Sequence, residues 1–126
     1  MIVVYLAGPI RGAPGDNQFQ HVHSALTDAK KLRDAGFCVL VPQRCMLDEI
    51  VFGAVDVARW LEEDYELIRR ADVLCRRPGP SLGSDSEVAF AREIGKPVVL
   101  GVETLLARAA ELRDRLDAAA FLDGIS

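Results

Sequence analysis

Four short apolar runs, each bounded by glycine or proline and each set off from the next by helical periodicity, restrict this chain to very few architectures. The first, Ile2 to Ala7, is rich in β-branched residues and stops at Gly8-Pro9, as suits a strand buried on both faces. Phe37 to Val41 repeats the pattern and ends at Pro42, Asp72 to Cys75 begins a third strand, and Pro97 to Gly101 makes a fourth. Between the first two, Phe19, Val22, Leu26, Ala29 and Leu32 recur at steps of three and four before Gly36, the pattern of an amphipathic helix and its stop. Ala54 to Ala71 is helical again, Ser84 to Ile94 gives a helix closed by Gly95, and Thr104 to Ala120 a last Ala/Leu/Arg-rich helix. Strands alternating with helices join by right-handed crossovers into a parallel sheet. The expected fold is therefore α/β, three-layer and doubly wound (flavodoxin- or Rossmann-like), with four or five parallel strands in a single domain spanning residues 1–126.

Charge and cysteine usage narrow the partners. Against 19 Asp+Glu stand 15 Lys+Arg, a net charge of -4, so no basic surface is expected to attract a polynucleotide or an anionic membrane. A small polar molecule fits better. The opening Met1 to Leu6 is apolar but lacks a basic flank and is too short to span a bilayer, so a soluble, cytoplasmic protein is expected. Cys38, Cys45 and Cys75 have no CxxC or zinc-type spacing and read as reduced thiols, two of them packed in strands. His21 and His23, two apart on a helix, face away from each other and make a poor metal pair. No metal or organic cofactor is expected. Neither GxGxxG nor GxxxxGK[ST] occurs. Trp60 and Tyr65 read more simply as core residues than as a stacking platform.

In doubly wound folds ligands sit beyond the carboxyl ends of the strands, where strand order reverses. Two loops lie there: Gly8-Pro9-Ile10-Arg11-Gly12 after the first strand, and Pro78 to Ser84 after the third, preceded by Arg76-Arg77, which could reach an anion. The first is either a plain turn or a place where glycines admit a ligand close to the main chain and Arg11 forks onto an anion. Ser84-Asp85-Ser86-Glu87 fits a capping box, with Glu87 reaching back to the helix start; equally, Glu87 faces the cleft, stays ionised at a helix amino terminus and acts as a nucleophile. In the helix from Ala54, Asp64 falls on the apolar stripe of Val57, Leu61 and Ile68. It is either a stripe-edge residue paired with Arg69 or Arg70, or a cleft carboxyl whose raised pKa suits it to move a proton. Two carboxylates in unlike surroundings are what glycosidic cleavage commonly uses.

Taken in order, Tyr5-Leu6-Ala7-Gly8-Pro9-Ile10-Arg11-Gly12, Glu63-Asp64, Ala71-Asp72-Val73 and Pro80-Ser81-Leu82-Gly83 with Glu87 resemble the nucleoside 2-deoxyribosyltransferase family, most closely its deoxynucleoside 5'-monophosphate N-glycosidase branch. The likeness runs from Tyr5 to about Val102. It implies that Glu87 attacks C1' of the sugar to form a glycosyl-enzyme, that Tyr5 orients Glu87, and that Asp64 handles the leaving base and its proton. It also implies that Gly8, Arg11, Ser81 and Gly83, with Pro9, Ile10 and Gly12 in the same loop, surround the sugar and 5'-phosphate. Where the phosphate-specific branch often has serine after the first loop glycine, this chain has Pro9, which removes a hydroxyl and an amide donor. The expected activity is cleavage or transfer at the N-glycosidic bond of a nucleoside or nucleoside 5'-monophosphate, in a homodimer or larger assembly. The alternative is a nucleotide-binding module of the same fold that does no chemistry; a third reading leaves Glu87 a cap and Asp64 a surface ion pair.

Overall fold

The computed structural model describes residues 1–10 and 18–125. Its elements follow in the order β1 Val3–Ala7, α1 Gln18–Asp34, β2 Cys38–Leu40, a 3-10 turn at Pro42–Arg44, α2 Cys45–Phe52, α3 Val57–Arg70, β3 Val73–Arg76, α4 Leu82–Glu93, β4 Val98–Leu100, α5 Val102–Ala107 and α6 Ala109–Ile125. The four strands are all parallel and lie in the order β2-β1-β3-β4. This is the doubly wound α/β sheet expected, with four strands. The order reverses between β1 and β3, and that junction is where such sheets bind ligands.

Period-two alternation along β1 divides the core into two layers. Val4 and Leu6 face one side, where they meet Ala25, Ala29 and Leu32 of α1, Leu105 of α5 and Leu112 of α6. Tyr5 and Ala7 face the other, against Ile68 and Ala71 at the end of α3, Leu74 of β3 and Ala91 of α4. Both central strands are thus covered on both faces, as their unbroken apolar runs require. The α3/α4 side carries the polar chemistry described below. Asp72 ties the edge of this arrangement: its carboxylate accepts from the Val3 N–H at 2.8 Å while its own N–H donates to the Val3 carbonyl.

Several local expectations shift. In α1 the buried stripe is Val22, Ala25, Ala29 and Leu32; Phe19 is 64% and Leu26 37% exposed, because small alanines let the helix lie closer to the sheet. The stretch 42–53, left without structure by pattern reading, forms the 3-10 turn and α2. The helix after it starts at Val57, not Ala54, with Asp56 as its cap, accepting from the Ala58 N–H at 3.0 Å. The expected helix over 104–120 is two helices, meeting at Arg108. Gly36 and Gly95 close α1 and α4 at φ 96° and 79°, the left-handed conformation that favours glycine. Cys75 is buried in β3 and Cys38 half-buried in β2. Among the described residues no helix is long and apolar enough to cross a membrane, and no cluster of three metal-ligating side chains occurs.

Candidate active site

The site grows out of Tyr5. Its side chain leaves β1 toward the α3/α4 layer and is wholly buried. There the phenol O–H donates to Oε2 of Glu87 on α4, a contact across 82 residues of sequence. Asp64 on α3 is a second acid beside the same hydroxyl, close enough for hydrogen bonding to it to pull the Asp64 pKa down. One tyrosine thus gathers two carboxyl groups that two different helices deliver to the end of β1.

Glu87 is not a cap. α4 begins three residues earlier than the capping-box reading places it: Ser81 is the N-cap, its hydroxyl accepting from the Ser84 N–H at 3.1 Å. Ser84 is already inside the helix, and its hydroxyl meets that of Ser81 at 3.0 Å. Glu87 therefore sits in the second turn of α4, too far along to reach the amino end, and is turned into the protein at 5% exposure. Asp64 likewise escapes its surface reading, because Arg69 and Arg70 both pair with Glu66 instead, at 2.9 and 3.1 Å.

Burial dominates the electrostatics. It pushes the Glu87 carboxyl up to about 8, the Tyr5 hydrogen bond pulling down against it and the nearby Asp64 charge adding to the rise. The expectation that Glu87 stays ionised is thereby corrected: desolvation outweighs any help from the helix amino terminus, and protonation is favoured at neutral pH. Asp64 is raised to about 6, again by burial first. The Tyr5 phenol is raised well above its ordinary value by burial and by both acids, so it remains a hydrogen-bond donor throughout the working pH range. The two acids are coupled through Tyr5, and between about 6 and 8 they hold one proton between them.

Over this pair opens a cavity of about 550 Å³, within the usual range for small-molecule sites. Gly8, Ile10, Ser81 and Gly83 line it together with Asp64 and Glu87. Pro9 does not. It turns toward a second space of about 260 Å³, shared with His21, Ser24 and Arg77, because the chain at Gly8-Pro9 packs down on the other loop: a Cβ on Gly79 would lie 2.8 Å from Pro9 Cγ. Gly8 is held just as closely, since a Cβ there would stand 3.0 Å from Arg77 Cβ and Nη1. Arg11 and Gly12 lie outside the described residues. Both arginines of the Arg76-Arg77 pair are engaged within the protein, though Arg77 Nη1 is buried without a partner among the described residues. Arg76 pairs with Asp85 at 3.1 Å and bonds the Gly79 and Arg77 carbonyls, while Arg77 Nε donates to Asp28 at 2.8 Å.

Pattern reading missed part of the wall. Pro42, Gln43, Cys45, Val57, Trp60, Leu61 and Leu82 also line the cavity. Gln43 is 1% exposed; its Nε2 donates to the Gly8 carbonyl at 3.2 Å, leaving Oε1 a buried acceptor without a partner. Trp60 is half-buried and not in either core cluster, and its indole N–H donates to Glu49 on α2 at 2.7 Å. Tyr65 stacks on Phe90, ring centroids 4.4 Å apart, and its hydroxyl meets that of Ser86. The one signal that pointed to Trp60 was its place four residues before Asp64 on one helix.

The fold and the site together define a doubly wound α/β domain with a paired-carboxyl small-molecule pocket at its topological switch point. Its sequence matches the model described as Domain of unknown function (DUF4406) over residues 2–100. Among solved structures it is similar to the 2-deoxyribosyltransferase from the psychrotolerant bacterium Bacillus psychrosaccharolyticus, at 30% identity, over 78% of this chain and 70% of that one, with a TM-score of 0.58. The 2-deoxyribosyltransferase from Leishmania mexicana, at 19% identity and TM-score 0.53 over 79% of this chain and 63% of that one, shares the fold. No curated protein matches the chain. The chain belongs to the DUF4406 family and, with it, to the 2-deoxyribosyltransferases.

Proposed function

We propose that this protein cleaves, or transfers the sugar across, the N-glycosidic bond of a nucleoside or nucleoside 5'-monophosphate. The observation that carries the proposal is the buried Tyr5 hydroxyl holding Glu87 at the floor of a cavity whose wall supplies a second acid, Asp64. A relative characterised as a 2-deoxyribosyltransferase for the synthesis of nucleosides supports the substrate class.

In the productive microstate the single proton of the pair sits on Asp64 and Glu87 is the anion. A Glu87 oxygen bonds to C1' as the C1'–N bond breaks; the electron pair of that bond goes to the base nitrogen, which takes the proton from Asp64. Tyr5 keeps its hydrogen bond to the glutamate and fixes its attack direction. Asp64, now a carboxylate, then removes the proton of a water, or of an N–H of a second base, as that group displaces Glu87 from C1'. Ser81, Gly83, Gly8 and Ile10 would flank the sugar.

Incubation of the pure protein with deoxy- and ribonucleosides and their 5'-monophosphates, with and without an acceptor base, tests this. Free base or exchanged nucleoside is expected, together with a loss of about a thousandfold or more in Glu87→Ala, as for removal of a covalent nucleophile. Undiminished turnover in that variant would sink the proposal. The Glu87 carboxyl, pushed up to about 8 by burial, favours a second reading, a nucleotide-binding module without chemistry. In that case a nucleoside monophosphate raises the melting temperature equally in the native protein and in Glu87→Gln, and no base is released.

A further inference from the structure

We infer that Trp60 is the surface on which the substrate's base lies, and that it selects fused two-ring purines over one-ring pyrimidines. The inference rests on the glycosyl-transfer reading of the pocket and deepens it.

Trp60 and Asp64 are four residues apart on α3, hence neighbours on one helix face with Cβ atoms about 5–6 Å apart. Both line the same cavity. If Asp64 hands a proton to the leaving base, that base lies within hydrogen-bond reach of it, and the next side chain along the helix is the indole. The indole has a single N–H, and Glu49 Oε1 takes it at 2.7 Å. That bond anchors the ring to α2 and leaves carbon surface to offer a ligand. The neighbouring walls, Pro42, Val57, Leu61 and Leu82, are apolar as well, so shape and stacking, more than a dense set of hydrogen bonds, would hold the base here. A fused bicyclic base overlaps a bicyclic indole over more area than a single ring does. Stacking of a base on an aromatic side chain contributes about 1–3 kcal/mol.

Trp60 is the chain's sole tryptophan, so its emission reports on this spot alone. Free adenine and free cytosine are titrated into the native protein by fluorescence, and into native, Trp60→Phe and Trp60→Leu proteins by calorimetry. Saturable quenching at lower adenine than cytosine concentration is expected. Trp60→Leu should weaken adenine binding about tenfold, and cytosine binding less, while Trp60→Phe, which keeps a ring face, stays within about threefold of native. The purine-to-pyrimidine ratio of kcat/KM on deoxynucleosides should fall in parallel in Trp60→Leu. Absence of quenching, or an unchanged adenine-to-cytosine ratio in Trp60→Leu, overturns the assignment. Turnover with that ratio unchanged removes the role of Trp60 and leaves glycosyl transfer standing. Base binding as described, with no nucleoside ever cleaved, does the reverse.

Discussion

Tyr5, Asp64 and Glu87 form a proton-sharing unit, and pH should act on it in two separate ways. On the proposed mechanism activity needs the singly protonated pair, so kcat/KM is expected to follow a bell, rising through about 6 as the doubly protonated form is lost and falling through about 8 as the last proton leaves. A profile that stays flat from 5 to 9 would contradict it. Stability has its own dependence. Because Glu87 binds its proton more tightly in the folded chain (about 8) than in the unfolded one (4.5), stability is full below about 4.5 and is lost as pH rises toward 8. The loss at this site is on the order of 4 kcal/mol at pH 8. Glu87→Gln removes the charge that must be buried. Its melting temperature should therefore fall less than that of the native protein between pH 5 and 8, and exceed it at pH 8. The identities of these three residues were readable in the sequence through the resemblance. Their protonation was not, because no local pattern reveals that Glu87 is desolvated in the second turn of α4 rather than exposed at its start.

At the level of elements, strands β1 to β4 and helices α1, α3 and α4 were legible because periodicity and glycine or proline stops agree in each. Helix α2 was not. Its Met46, Leu47, Ile50, Val51 and Phe52 show no polar face, and the structure leaves Leu47 57% and Phe52 84% exposed, a pattern that neither period explains. Two residues of the pocket wall, Gln43 and Cys45, were lost with it, since they belong to this stretch. One tie between elements is also invisible in sequence: the Arg77–Asp28 pair, which joins α1 to the loop after β3 with side chains only 8% and 24% exposed. Asp28→Ala would strand a buried guanidinium and should cost about 3 kcal/mol in chemical denaturation. Lys30→Ala, which breaks an exposed pair with Asp34, should leave the midpoint nearly unchanged. Equal effects would mean that the buried pair is not what secures this loop.

For the whole molecule, the alternation of strands and helices specified a parallel sheet, but the order β2-β1-β3-β4 needed coordinates, because crossover rules fix handedness and not neighbours. That order sets β1 beside β3 and so brings both loops to one rim. Leu82, which lines the pocket, is 91% exposed, and α2 carries further exposed apolar side chains in Leu47, Ile50, Val51 and Phe52. Such a surface is expected to be covered by association. Light scattering at assay concentration should give twice the mass of 13.8 kDa or more, and a monomer would count against it.

Tyr5 and Glu87 stand 82 residues apart, so no fragment made early in synthesis, and no isolated βαβ unit, owns a reactive centre. On the proposed mechanism turnover can begin only after α4 has docked across β1, which makes catalysis a clock for the slowest long-range step of renaturation. After dilution from denaturant, regained activity should lag behind helical circular dichroism.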